Sequence, residues 1–219
     1  ADQDRARGNP LYKLLCLRKT RPMTGADEKQ TLHRYLRNAR GVLLWKLEGL
    51  SDYDIRRPVT PTGTNLLGLV KHLAGVESEY FGAVFGRPFP GTLPWDPDDP
   101  DGDPNVDFWA TAGESREYIT GLYREVWAHA DATISALPLD AEGHVPWWPT
   151  PPNPVTLHTI LVHVIAEVQR HAGHADIVRE LVDGVAGLRP AVSNLPDLDA
   201  ARWEKYRAQV EQAAREAAG

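Results

Sequence analysis

Four side chains that can bind a metal ion recur at helical spacing in the last third of the chain. They are His163, Glu167, His171 and His174, within the run HVIAEVQRHAGHAD. At about 100° per residue, the last three lie roughly 40°, 80° and 20° round a helix from the first. Imidazole and carboxylate groups one turn apart can present lone pairs to a single point, as a zinc-type cation requires. The segment therefore predicts part of a metal site, and the spacing alone does not decide which of the four residues are ligands.

A further ligand from a second helix is expected at His72. This residue lies beside the apolar positions Leu69, Leu73 and Val76, which are spaced to face the interior of a helical bundle. Together with Glu167 and His171 it would supply two nitrogens and one oxygen. Such a set leaves a fourth position open, as catalytic zinc sites do.

Each of these residues also has a purely structural interpretation. A histidine on an apolar flank can be a hydrogen-bonded core residue, and Glu167 with His171 can be an exposed helical pair. However, Glu167 interrupts the apolar positions Val164, Ile165 and Val168. A carboxylate buried among them would be costly unless it were paired or bound to a metal, which favours the metal site.

Apolar residues at spacings of three and four predict the helices that must position these groups. We expect helices over about 26–50, from a cap at Thr62 or Thr64 to about 85, over about 106–137, from about 156 to 182, and over about 198–217. Residues 86–105 are rich in Pro, Gly and Asp and form a long connection. No period-two strand pattern is apparent. The sequence thus predicts an all-α four-helix bundle with one long crossover and an extra C-terminal helix.

Composition and charge narrow the classes of function. Hydrophobic residues make up 42% of the chain and charged residues 25%, which is typical of a globular domain. Residues 1–22 carry a net charge of +4, so residues 23–219 carry −10 of the total of −6. Residues 23–219 are too acidic for the basic surface that nucleic-acid-binding proteins usually have. No apolar run is long enough to span a bilayer. We therefore expect a cytoplasmic protein that binds neither nucleic acid nor a membrane.

The N-terminal segment differs from the rest of the chain. The only methionine is Met23, directly after the basic stretch. Residues 1–22 are interpreted either as an extension upstream of a natural start or as a genuine arm, preceding one domain over residues 23–219. The only cysteine, Cys16, lies in this segment. A reaction that needs a thiol would therefore take it from another molecule.

Two segments resemble the DinB-like superfamily of four-helix bundles, which hold a divalent metal with three side chains. The resemblance covers about residues 26–185 and rests on LVKHLAGVE at 69–77 and EVQRHAGHADIVRE at 167–180. Many members have the pattern HxxxHRGQ in the fourth helix. Here Glu167 occupies the first position of that pattern and His174 the last. The Glu-for-His exchange resembles the mycothiol-dependent branch, which includes mycothiol S-transferases and the metal-binding domain of mycothiol-dependent maleylpyruvate isomerase.

The resemblance implies a specific ligand set and co-substrate. It puts His72, Glu167 and His171 on a divalent metal, which is zinc in that branch, and leaves His174 as a neighbour. The donor set itself would also accept nickel, iron or manganese. It also implies mycothiol or another low-molecular-weight thiol as co-substrate. We expect no second domain of the isomerase type after the bundle, and this expectation favours a thiol S-transferase over an isomerase.

Further roles are predicted for residues near this site. His174 or Asp176 would orient a ligand or carry a proton, although Asp176 could equally belong to a salt-bridged turn with Arg179 or Glu180. Three residues from two loops are predicted to line the opening of the site, where the co-substrate would bind: Trp147, Trp148 and Thr62. The alternative for the tryptophans is simple packing onto the bundle.

The predicted function is a metal-dependent thiol S-transferase that activates a small thiol for attack on a small electrophile. Its expected partners are these small molecules and, through an exposed helical face, a second copy of the chain. Two alternatives remain open from the sequence. One is a zinc-dependent hydrolase or isomerase, and the other is a non-catalytic bundle that binds a metal or a ligand.

Overall fold

A computed structural model describes residues 24–96, 102–149, 153–190 and 192–219. This part of the chain folds into helices α1 (Gly25–Trp45), α2 (Leu66–Tyr80), α3 (Arg116–Ala136), α4 (Leu157–Asp183) and α5 (Ala200–Ala217). Short 3₁₀ helices cover Ala83–Phe85 and Val106–Phe108, and the two-residue strands β1 (Glu142–Gly143) and β2 (Val155–Thr156) pair antiparallel. The predicted all-α bundle is confirmed. The predicted N-terminal extension, residues 1–22, lies outside the described residues.

The first four helices form the bundle because each carries an apolar stripe at helical spacing. α1 packs mainly against α4, and α2 packs against both α3 and α4. The stripes meet in one continuous core, in which the following residues are fully buried: Leu36, Leu43, Leu66, Leu73, Ile119, Val126, Ile160, Val164 and Val168. Each fully buried aliphatic side chain of this kind contributes about 1.5–3 kcal/mol by leaving water.

Two helix starts differ from the sequence prediction. α2 is capped by Asn65, whose side chain accepts a hydrogen bond from the Gly68 amide, rather than by Thr62 or Thr64. α3 begins only after Ser115, which caps the Tyr118 amide, so the predicted start near residue 106 is ten residues too early. The segment between Val106 and Ser115 is a short 3₁₀ helix followed by a loop, and it carries part of the site described below.

Helix α5 lies outside the core. None of its residues is buried, and Tyr206 and Val210 are exposed along one face. Between α5 and the C-terminal half of α4 runs an open groove of about 950 Å³, lined by Asp176 and Trp203 among others. Within the described part of the chain, no helix combines the length and the apolar character needed to cross a membrane.

A buried ionic network connects α1, α2 and α3. Arg40 Nε donates to the two carboxylate oxygens of Glu77 at 3.1 and 2.9 Å, and both side chains are fully buried. The Tyr123 hydroxyl donates to Glu77 at 3.0 Å, and Arg40 Nη1 donates to Asp131 at 2.6 Å. Burial opposes the charge of Arg40, but the attraction and hydrogen bonds of Glu77 and Asp131 together outweigh it and raise the pKa of the guanidinium. Burial also raises the pKa of Glu77, although the attraction of Arg40 opposes that shift. The network therefore places the two partners of an ion pair in the bundle core.

Candidate metal centre

Three side chains from two helices converge at one edge of the bundle. His72 extends from α2, and Glu167 and His171 extend from α4, where they lie one turn apart. One potential ligand atom from each residue lies within 4.8 Å of the others. The structure thus brings together the three residues that the sequence singled out.

The spacing of these atoms suits a small divalent cation. Glu167 Oε1 lies 3.0 Å from His171 Nε2 and 3.8 Å from His72 Nε2. Ligands about 2.0–2.2 Å from a tetrahedral zinc ion are roughly 3.3–3.6 Å apart, so small side-chain movements would bring these donors to such a geometry. Two imidazoles and one carboxylate are also the donor set of many zinc sites with an open fourth position.

Asp107 fixes the orientation of His72. Its Oδ2 lies 2.7 Å from His72 Nδ1. A proton on Nδ1, donated to the carboxylate, leaves the Nε2 lone pair free to face Glu167 and His171. The Phe108 ring stacks on the His72 ring, with centroids 4.0 Å apart and an angle of 19° between the planes. The imidazole is therefore held at one ring nitrogen and along one face.

The loop that carries Asp107 is itself fastened by long polar side chains. Lys71, next to His72 on α2, donates to the Trp109 carbonyl at 2.9 Å and pairs with Glu114 at 2.8 Å. Arg56 donates to the carbonyls of Thr111 and Glu114 at 3.0 and 2.7 Å. Because these contacts satisfy the carbonyls of a segment without regular structure, the loop has a defined position over α2.

A glycine permits the close approach of this loop. A Cβ atom at Gly68 would lie 1.8 Å from the Phe108 carbonyl oxygen, a distance that no side chain can tolerate. Gly68 lies one helical turn before His72. The absence of a side chain there allows Asp107 and Phe108 to reach the imidazole.

His171 lies in an environment that favours a neutral ring. It is 7% exposed. Burial and then the nearby His72 lower the pKa of His171, although Glu167 opposes the shift. A neutral imidazole is the form that binds metals. His174, the predicted neighbour, is exposed, and its Nδ1 lies 3.4 Å from His171 Nδ1.

A groove of about 470 Å³ opens beside the three candidate ligands. His72 and Glu167 line it together with two further carboxylates, two small apolar residues and a set of aromatic rings: Glu79, Asp107, Gly75, Val76, Tyr80, Trp95, Trp147 and His163. The His163 ring contacts the rings of Tyr80 and Trp148, in each case with centroids 4.8 Å apart. Burial lowers the pKa of His163. The predicted co-substrate residue Trp147 thus lines this groove. Trp148 contacts Tyr80 and His163 but is not among the lining residues.

Two other predicted site residues lie elsewhere. Asp176 Oδ1 lies 2.7 Å from the ammonium of buried Lys46 and lines the groove beside α5. Arg179 pairs with Asp183, and Asp176 pairs with Lys46, so the alternative of a salt-bridged turn between Asp176 and Arg179 is not what the structure shows. Thr62 contacts Thr60 at 3.1 Å in an exposed loop and is not among the residues that line the 470 Å³ groove.

The comparisons with known proteins identify the family and the fold. Residues 31–184, which include all three candidate ligands, match the mycothiol S-transferase family. The chain belongs to that family. The DinB-like resemblance seen in the sequence is confirmed, and membership indicates a mycothiol-related transferase activity with a thiol substrate.

A solved structure supports the fold of this mycothiol S-transferase family member. A crystal structure of a conserved protein from Enterococcus faecalis is similar, with a TM-score of 0.56 and 18% sequence identity. The match covers 71% of this chain and 97% of that one. At this identity the likeness concerns the fold alone. A search of the curated proteins finds no match.

Proposed function

We propose that this chain is a metal-dependent thiol S-transferase that uses mycothiol and a zinc-type cation to modify a small electrophile. The observation that carries the proposal is the convergence of His72, Glu167 and His171 beside an aromatic groove. The chain's one cysteine lies outside the described residues, so no thiol of the bundle competes for the site. Family membership supports the choice of thiol.

The three proposed ligands leave room for one more donor. When bound there, a divalent cation would lower the pKa of a thiol at its open position, which favours the nucleophilic thiolate at neutral pH. Asp107 would keep the Nε2 lone pair of His72 directed at the site, and Phe108 would prevent the ring from turning. The aromatic groove would hold the electrophile and exclude water from it.

The contacts favour His174 over Asp176 as the residue that orients a ligand. His174 Nδ1 is within reach of His171 Nδ1, so one ring can donate and the other accept. That contact would help to set which nitrogen of His171 faces the site. Asp176 is instead engaged by Lys46 on the side of α4 that faces the other groove.

The proposed activity can be tested with zinc-loaded protein and a panel of thiols. We expect thioether formation between mycothiol and a bimane-type electrophile to be at least about tenfold faster than with glutathione or cysteine, because a fitted thiol is oriented by its remaining groups. Metal-free protein should give only the uncatalysed rate. Equal rates with and without the protein would contradict the proposal, and consumption of the electrophile without thiol would indicate hydrolysis instead.

A further inference from the structure

The hydroxyl of Tyr80 has an unusual set of hydrogen bonds. Two indole N–H groups donate to it, from Trp147 at 3.2 Å and from Trp148 at 3.0 Å. Because an indole nitrogen can only donate, the tyrosine oxygen acts as acceptor in both bonds. Its lone pairs are therefore used, and the hydroxyl hydrogen is what remains to form a bond. Among the described residues, none accepts that hydrogen.

This hydroxyl belongs to the same groove as the candidate metal centre. Tyr80 is the last residue of α2, two turns beyond His72 and about 12 Å along the helix. It lines the groove together with His72 and Glu167, and it is 9% exposed. The rings of Trp147 and His163 lie 5.5 and 4.8 Å from its own. The groove thus has proposed metal ligands in one part and the fixed Tyr80 hydroxyl among aromatic rings in another.

Such a donor suits an oxygen atom that gains negative charge during a reaction. The two indole N–H bonds polarise the phenol and strengthen its own donation. A preoriented donor in an aromatic environment stabilises a developing oxyanion without reorganisation. A donor placed among aromatic rings also suits the carbonyl oxygen of an otherwise apolar compound.

We infer that Tyr80 is the hydrogen-bond donor of an electrophile site, and that its substrates are α,β-unsaturated carbonyl compounds. This inference rests on the proposed transferase function. In the reaction the thiol loses its proton to solvent and the sulfur forms a bond to the β-carbon. The electrons of the carbon–carbon double bond move onto the carbonyl oxygen, which Tyr80 stabilises. A proton from solvent then adds to the α-carbon, so the product is a saturated thioether and nothing is oxidised or reduced.

The kinetic test compares two electrophiles in the Tyr80→Phe variant. Benzylideneacetone carries a carbonyl oxygen, and benzyl bromide has no oxygen. We expect kcat/KM for the enone to fall by about 10²–10³-fold, the usual effect of removing one oxyanion donor, and kcat/KM for the bromide to change by less than about threefold. Tyr35→Phe, which alters an exposed tyrosine of α1, is the matched control and should leave both values unchanged. An equal loss for both electrophiles, or a rise in the KM for the thiol alone, would overturn the inference.

A spectroscopic test needs neither thiol nor metal. Benzylacetone labelled with ¹³C at its carbonyl is the unreactive saturated analogue, and its infrared band reports hydrogen bonding to the carbonyl oxygen. In the metal-free protein we expect the bound ketone to absorb at lower frequency than the ketone in an apolar solvent. The shift should be lost in Tyr80→Phe and kept in Tyr35→Phe. An unshifted band in the unaltered protein overturns the inference even if the variant fails to fold. A shifted band without transferase activity contradicts the proposed function and leaves the donor assignment standing.

Discussion

Replacing His171 with alanine is expected to abolish metal uptake. The variant removes one of the three proposed ligands. In this site Glu167 Oε1 lies 3.0 Å from His171 Nε2 and 3.8 Å from His72 Nε2. Two remaining donors cannot hold a zinc-type cation against dilution and dialysis. After zinc loading and dialysis, elemental analysis should give about one ion per chain for the unaltered protein and less than about a tenth for the variant.

The histidines of the same helix provide the controls. His163→Ala should keep its metal, because that ring packs among aromatic residues. If His171→Ala retains some metal, the double variant with His174→Ala shows whether the neighbouring imidazole has replaced the lost ligand. Full retention in the double variant would contradict the proposed ligand set.

Replacing Asp107, which orients the proposed ligand His72, should weaken zinc binding without abolishing it. Asp107→Asn should still bind zinc, but with an affinity lowered about 10–100-fold, because the amide holds the His72 ring less firmly in the required tautomer. Competition with a chelator measures this difference. Asp140→Asn, an exposed aspartate that lines neither groove, should bind as the unaltered protein does. An unchanged affinity in Asp107→Asn would contradict the role given to Asp107.

The largest effect on stability is expected for Arg40→Met. The substitution leaves the fully buried Glu77 carboxylate without its guanidinium partner, with the Tyr123 hydroxyl still donating to it. Breaking one side of a buried ion pair costs about 3–5 kcal/mol in the free energy of unfolding. For a chain of this length the melting temperature should fall by roughly 6–20 °C, measured by circular dichroism.

The double variant separates the charge from the packing. Arg40→Met combined with Glu77→Leu removes both charges, and it should recover most of the lost stability because apolar side chains of similar volume replace a buried pair at little cost. Arg37→Met, on the exposed face of the same helix, should change the unfolding free energy by less than about 0.5 kcal/mol. A double variant as unstable as Arg40→Met would show that the charge is not the cause.

Most of the fold could be predicted from the sequence, because the helices have strong apolar periodicity. α4 was expected over about 156–182 and runs from Leu157 to Asp183. The same periodicity placed His72, Glu167 and His171 on inward faces of two helices that were expected to meet. Spacing alone left His163 and His174 as competitors, since all four lie within a narrow arc of the helix. The choice among them came from the resemblance to the superfamily.

The residues that complete the site could not be found in this way. Asp107 fell in the first turn of the predicted third helix, whereas α3 begins only at Arg116, after its Ser115 cap. The position of its loop depends on Lys71 and Arg56, which reach it from 38 to 58 residues away. The bonds of Trp147 and Trp148 to Tyr80 likewise join residues 67 and 68 positions apart. Such contacts arise from tertiary packing, and no periodicity encodes them.

The most direct test of the proposed open metal site is a titration of cobalt-substituted protein with mycothiol. Co²⁺ accepts the same nitrogen and oxygen donors as zinc, and its spectrum reports the ligands. Addition of mycothiol should produce a near-ultraviolet sulfur-to-cobalt charge-transfer band that saturates at one thiol per chain. The analogue with serine in place of the cysteinyl group should produce none. A spectrum that does not change at saturating mycothiol, in protein that holds one cobalt ion per chain, would contradict the proposal that the thiol sulfur completes this site.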